Sequence, residues 1–129
     1  MTRYELLAFF QAFILEQQRV MTKKQYGYGN EDNAFANFDH YQQFREHITR
    51  EDGVFTRMVD KFRAVDPSMD DPYDDLIDLA NYCCIMAAMF HEQFDGYKSF
   101  FIKRDKDDAL FKMYEQALKE LQEQDLNLP

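Results

Sequence analysis

Turn-forming residues are scarce in this chain: 129 residues hold only 4 glycines and 3 prolines, and no tryptophan. Strand-rich folds need frequent turns, so this scarcity favours long helices joined by few loops. Basic residues are also in deficit, 15 Lys and Arg against 24 Asp and Glu, for a formal charge of −9. A protein that tracks a phosphate backbone needs a dense basic face, so direct nucleic-acid backbone binding is not expected. Docking on anionic lipid is disfavoured for the same reason. A small phosphorylated ligand is still allowed, because a few clustered Lys and Arg, or a bound metal, reverse the sign locally. No run reaches the ~18 apolar residues of a membrane span. The apolar stretch Tyr4 to Leu15 is flanked by Arg3 and Glu5 with no cleavage pattern after it, so it does not read as a signal peptide. Cys83 and Cys84 are the only cysteines. Neighbours on a helix point about 100° apart, so a mutual disulfide is not expected. They read as small buried hydrophobes of a reducing compartment, and the expected location is the cytoplasm.

Hydrophobic residues make up 46% of the chain, with 13 Phe, 8 Tyr and 7 Met. That is the composition of a folded protein with one core rich in rings and thioethers. Leu6, Leu7, Phe10, Phe13, Ile14 and Gln17 recur at threes and fours and predict a helix over 3–22. The stretch K-K-Q-Y-G-Y-G-N (23–30) reads as the loop that ends it. Phe35, Phe38, Tyr41 and Phe44 predict a short helix within 33–48. Thr49 and Asp52 offer a capping box for a helix expected from about Gly53 to Val65, with Val54, Met58, Phe62 and Val65 as its apolar stripe. Asp71-Pro72 starts the next helix, as N-cap and first helical residue, and that helix runs to about Phe94. An aromatic connector, 97–102, leads to a last helix over about 107–123, with Leu110, Met113, Tyr114, Ala117, Leu118 and Leu121 on one face. The predicted fold is all-α, a single-domain bundle of four to five helices.

Polar residues on the helix D-D-L-I-D-L-A-N-Y (74–82) carry the chemistry. Negative charge in a first turn is favoured by the helix dipole, so Asp71 and one of Asp74 and Asp75 need no function. Asp78 is different, because its neighbours Leu76, Ile77, Leu79 and Ala80 are apolar. Asp74, Asp78 and Asn81 share one face. A buried carboxylate without a cation costs several kcal/mol or takes up a proton, so Asp78 must meet a Lys, an Arg or a metal. R-M-V-D-K-F-R (57–63) offers Arg57, Asp60 and Lys61 on one helical face. One outcome is a salt bridge from Asp78 to Arg57 or Lys61 that sets the helix register. The other is an anion site in which carboxylates hold Mg²⁺ while Arg and Lys grip phosphate. The loop 23–30 adds Lys24 for charge, Tyr26 for stacking and Gly27 for close backbone approach, without P-loop or Rossmann spacing. His40, His47 and His91 are scattered, and no Cys/His cluster has zinc spacing.

Lys24, Tyr26-Gly27, then Gly53, Arg57 and Asp60-Lys61, then Asp74-x-Leu76-x-Asp78-Leu-Ala-Asn-Tyr82 together resemble the nucleotide-modification-associated domain family (type 1) common in phages. The likeness covers about residues 20–90 and leaves a C-terminal extension over about 95–129. The chain departs from the family pattern at Gln25, Arg63 and Asp75. A looser likeness is to the MazG-like all-α nucleoside triphosphate pyrophosphohydrolases: Asp75-x-x-Asp78 has their acidic spacing, while their facing acidic pair reads Arg57-x-x-Asp60 here. The resemblance implies a phage-type protein of nucleotide metabolism that binds a (deoxy)nucleoside phosphate, with Mg²⁺-dependent pyrophosphohydrolysis as its catalytic form. In that form Asp74, Asp75 and Asp78 hold the metal, and Asp60 and Asp78 serve catalysis. Lys24, Tyr26, Gly27, Arg57, Lys61 and Asn81 bind the substrate. The alternatives are a non-catalytic nucleotide-binding or protein-interaction module, and a homo-oligomer that assembles through its aromatics.

Overall fold

A computed structural model describes residues 1–28, 31–39, 48–93, 98–101, 104 and 109–126. Among them are five helices and no strand: α1 (Arg3–Tyr28), α2 (Arg50–Ala64), α3 (Tyr73–Gln93), α4 (Lys98–Phe101) and α5 (Ala109–Leu126). The protein is an all-α helical bundle, as periodicity and the shortage of turn residues predict. None of the described helices is long and apolar enough to cross a membrane. The chain divides into two compact units, Met1–Ala87 and Ala88–Pro129. The helix predicted within 33–48 is described only to Asp39. His40, Tyr41, Phe44 and His47 lie outside the described residues, as do Tyr97 and Ile102 of the connector.

The capping signals act as chemistry requires. Thr49 N–H donates to Asp52 Oδ2 at 3.0 Å, and Asp52 N–H donates back to Thr49 Oγ1 at 3.2 Å. This satisfies two of the orphan donors at the start of α2. Asp71 Oδ1 accepts the Tyr73 N–H at 3.0 Å, and the Pro72 carbonyl accepts the Leu76 N–H at 3.3 Å, which starts α3. A second capping box, between Thr2 and Glu5, starts α1.

The first unit has a small core: Val54, Phe38, Ile77 and Phe35 are its buried apolar side chains. Residues 33–39 cross it, a turn at 34–35 that leads into helix over 36–39. Asn33 Oδ1 accepts the Phe35 N–H at 3.0 Å, and Arg50 of α2 donates two hydrogen bonds to Asp39, at 2.8 and 2.7 Å. The Arg50 guanidinium also lies 5.0 Å from the Phe35 ring centroid. In the second unit the His91 ring meets Phe100 and Phe101 edge-on, Phe101 packs against Phe111 and Tyr114, and Met89 is buried.

Several sequence expectations are corrected. Residues 23–28 are not a loop, because α1 continues through them. Lys23, Lys24 and Gln25 are good helix formers, and Gly27 costs only about 1 kcal/mol. Leu6, Leu7, Phe10 and Ile14 form the expected apolar face of α1, but the face is exposed. Phe62 is 72% exposed rather than part of the α2 seam, and Cys83 and Cys84 are exposed rather than buried. Periodicity identifies an apolar face; it does not say that the same chain covers it.

Candidate functional site

Three helices and residues 33–39 line an open cavity of about 420 Å³, within the size range of small-molecule sites. Spacing explains which side chains line it. On α1, Met21, Lys24 and Gln25 lie at i, i+3 and i+4. On α2, Arg57 and Lys61 are one turn apart. On α3, Asp78, Asn81, Tyr82 and Ile85 form one stripe. Asn37 and Phe38 complete the wall, with the Phe38 ring edge-on to Tyr82 at 6.4 Å between centroids.

Asp78 lies at the centre of the ionic contacts. Its side chain is 13% exposed and accepts from Lys24 Nζ through Oδ1 and from Lys61 Nζ through Oδ2, the latter at 2.9 Å. Lys61 also reaches Asp75 Oδ1 at 3.4 Å. Burial pushes the Asp78 carboxyl up, but the hydrogen bonds and charges of Lys24 and Lys61 outweigh it, and the carboxyl is held below its usual range. The Lys61 ammonium is raised, first by its hydrogen bond to Asp78, against partial burial. The carboxylate is therefore ionised at neutral pH and meets the cations its apolar surroundings demand.

Asn81, one turn deeper on α3, is 4% exposed. Neither its Nδ2 nor its Oδ1 has a hydrogen-bond partner among the described residues. Buried amides are nearly always satisfied, and leaving one unpaired costs about 1–3 kcal/mol. The cavity also reverses the sign of the chain: its lining has three cations, Lys24, Arg57 and Lys61, and one carboxylate, Asp78.

The structure thus brings Lys24, Arg57, Lys61, Asp78 and Asn81 together on one cavity. Asp75 touches it through Lys61. Tyr26 is 69% exposed and does not line it, and Asp60 and Asp74 are exposed on their helices. Gly27 lies within α1, and a Cβ placed there would meet nothing within 4 Å, so no backbone approaches it closely. Sequence reasoning placed Arg57 or Lys61 opposite Asp78; the cations that reach it are Lys61 and Lys24, and Lys24 was missed as a partner. The signal was there: once α1 extends to Tyr28, Met21, Lys24 and Gln25 fall on one face.

The donor set does not fit a resident Mg²⁺. The two carboxylates nearest the cavity share the Lys61 ammonium, and Asp78 also holds Lys24. Among the described residues no three His, Cys, Asp or Glu side chains converge to hold a metal ion. A hard divalent cation needs several such oxygens, and here lysine nitrogens take them. Compared with protein-family models, with curated proteins and with solved structures, the chain matches none of them.

Proposed function

We propose that the cavity binds a small phosphorylated ligand, a (deoxy)nucleoside phosphate, without catalysing its hydrolysis. The single observation that carries this reading is Asn81: a buried amide on a cavity wall, with both polar atoms unpartnered. A ligand that completes those hydrogen bonds gives the residue its reason, as base edges do for Asn side chains. The cations define the other end of the ligand. An ammonium has three donors, so Lys24 and Lys61 hold Asp78 and still have donors for phosphate oxygens. Arg57 adds a planar fork suited to phosphate. The Tyr82 ring, braced edge-on by the buried Phe38, offers an apolar surface to a base. The choice of nucleoside phosphate over other anions also draws on the resemblance carried by Arg57, Asp60-Lys61 and Asp78-Leu-Ala-Asn-Tyr82. Hydrolysis is left out because the carboxylates that would serve a metal are engaged by lysines.

Calorimetric titration with the eight common ribo- and deoxynucleoside triphosphates tests the reading, first in EDTA and then in Mg²⁺. The expected result is saturable binding of at least one in EDTA, weakened about tenfold or more by Lys61→Ala, with no pyrophosphate released. Failure of all eight to bind, or metal-dependent release of pyrophosphate, would overturn it.

A further inference from the structure

The cationic end of the cavity is small, and its charge can be counted. Lys24 of α1 and Lys61 of α2 both donate to the one carboxylate of Asp78, so they form a single cluster rather than a track along the wall. Arg57, one turn before Lys61, belongs to the same lining. Three cations against Asp78 leave an excess of two positive charges, and counting Asp75, which shares Lys61, leaves one. We propose that this cluster is matched to a single phosphomonoester, so that the ligand is a (deoxy)nucleoside monophosphate, held in preference to the di- and triphosphates. The inference rests on the nucleoside-phosphate reading above and names the phosphorylation state that the reading leaves open.

Charge and donor number both point to one phosphoryl group. A phosphomonoester carries about −1.5 to −2 at neutral pH, which an excess of one to two positive charges balances. A triphosphate brings two further anionic groups. Balancing them takes more cations, or a divalent metal shared between phosphate oxygens and protein carboxylates. This wall supplies neither. Its nearest carboxylates are held by lysines, and among the described residues no three His, Cys, Asp or Glu side chains converge. The donors give the same answer. An ammonium has three. Among the described residues Lys24 uses one on Asp78 and keeps two, while Lys61 uses two, on Asp78 and Asp75, and keeps one. Three donors thus remain, as many as the terminal oxygens of one phosphoryl group. Further phosphoryl groups gain nothing at the other end either. The unpartnered Asn81 carbonyl needs a donor, and ionised phosphate oxygens only accept.

Calorimetric titration of the full chain in EDTA tests the inference, with the 5′-mono-, di- and triphosphates of the eight common ribo- and deoxynucleosides. For the best-bound nucleoside, the monophosphate is expected to bind about tenfold or more tighter than the triphosphate. Asp78→Asn makes the cluster one charge more positive and frees a donor on each lysine. It is expected to shrink the preference for the monophosphate about tenfold, with helical circular dichroism unchanged. The wild-type ratio needs no variant, so the test stands even where Asp78→Asn folds poorly. A triphosphate that binds as tightly as the monophosphate would overturn the inference and leave the nucleoside-phosphate reading in place. A preference of the same size in folded Asp78→Asn would also overturn it, because charge would not be what selects. Binding by no member of the series would overturn the reading itself, and this inference with it.

Discussion

Asp78 shows at the scale of one residue why a polar group persists in an apolar helix. Its carboxylate lies between two lysines, one from each neighbouring helix. Lys24 and Lys61 are 43% and 31% exposed, so solvent weakens the pairing, and Asp78→Asn is expected to cost about 1–2 kcal/mol, read from urea unfolding. The pH dependence follows from the two shifts. The folded Asp78 carboxyl lies below its usual value of 3.8, so its contribution is full above that value and is lost as pH falls through the depressed one. The Lys61 ammonium lies above its usual value of 10.5, so its contribution is full below that value and is lost as pH rises through the raised one. The gap in unfolding midpoint between wild type and Asp78→Asn is therefore expected to be level through neutral pH and to close in acid. A gap that shows no narrowing as pH falls below 3.8 into strong acid would mean that Asp78 acts through something other than its charge. Sequence alone showed that this carboxylate needs a cation, because no uncharged arrangement satisfies it among leucines and alanines. The helix that supplies a cation was legible, as Arg57 or Lys61, but not which of the two reaches Asp78. Lys24 was not legible, because Gly27 and Gly29 read as the end of its helix.

Elements were legible to different degrees, and the division follows the physics. Caps are local, a side chain meeting a backbone N–H two or three residues away, so Thr49-Asp52 and Asp71 could be read directly. Burial is not local, so the exposed positions of Phe62, Cys83 and Cys84 could not be read from periodicity. Two predictions belong at this scale. Gly27 is helical, with open space where a Cβ would go. Gly27→Ala is therefore expected to stabilise the protein by about 0.5 kcal/mol and to leave ligand affinity unchanged, as thermal melting and calorimetry would report. A loss of affinity would restore this segment as a glycine loop that closes on the ligand. The Arg50–Asp39 pair fastens the 33–39 segment to α2, and that segment supplies Phe38 to the cavity. Arg50→Ala is expected to cost about 1–2 kcal/mol, through the lost two-point pairing and the contact with Phe35, and to weaken binding through Phe38. Unchanged stability in chemical unfolding would show that the segment holds without it.

At the scale of the whole molecule, an acidic chain gathers three of its 15 basic residues, Lys24, Arg57 and Lys61, on one cavity. The all-α fold was legible from few turn residues and helical periodicity alone. The cavity was legible in part: Arg57, Lys61, Asp78 and Asn81 were read as one constellation, while Met21, Asn37, Phe38 and Ile85 became visible only once the helices were placed. Small apolar and amide side chains carry no spacing signal that separates a wall from a core. The most direct measurement pairs stability with affinity in one variant, Asn81→Leu, which replaces an unsatisfied amide by an apolar side chain of similar volume. If the amide exists for a ligand, the melting temperature is expected to hold or rise, while affinity for the best-binding nucleoside triphosphate falls about tenfold or more. Unchanged affinity, or a melting temperature that falls with no loss of binding, would contradict the account, because Asn81 would then belong to the core and not to the site.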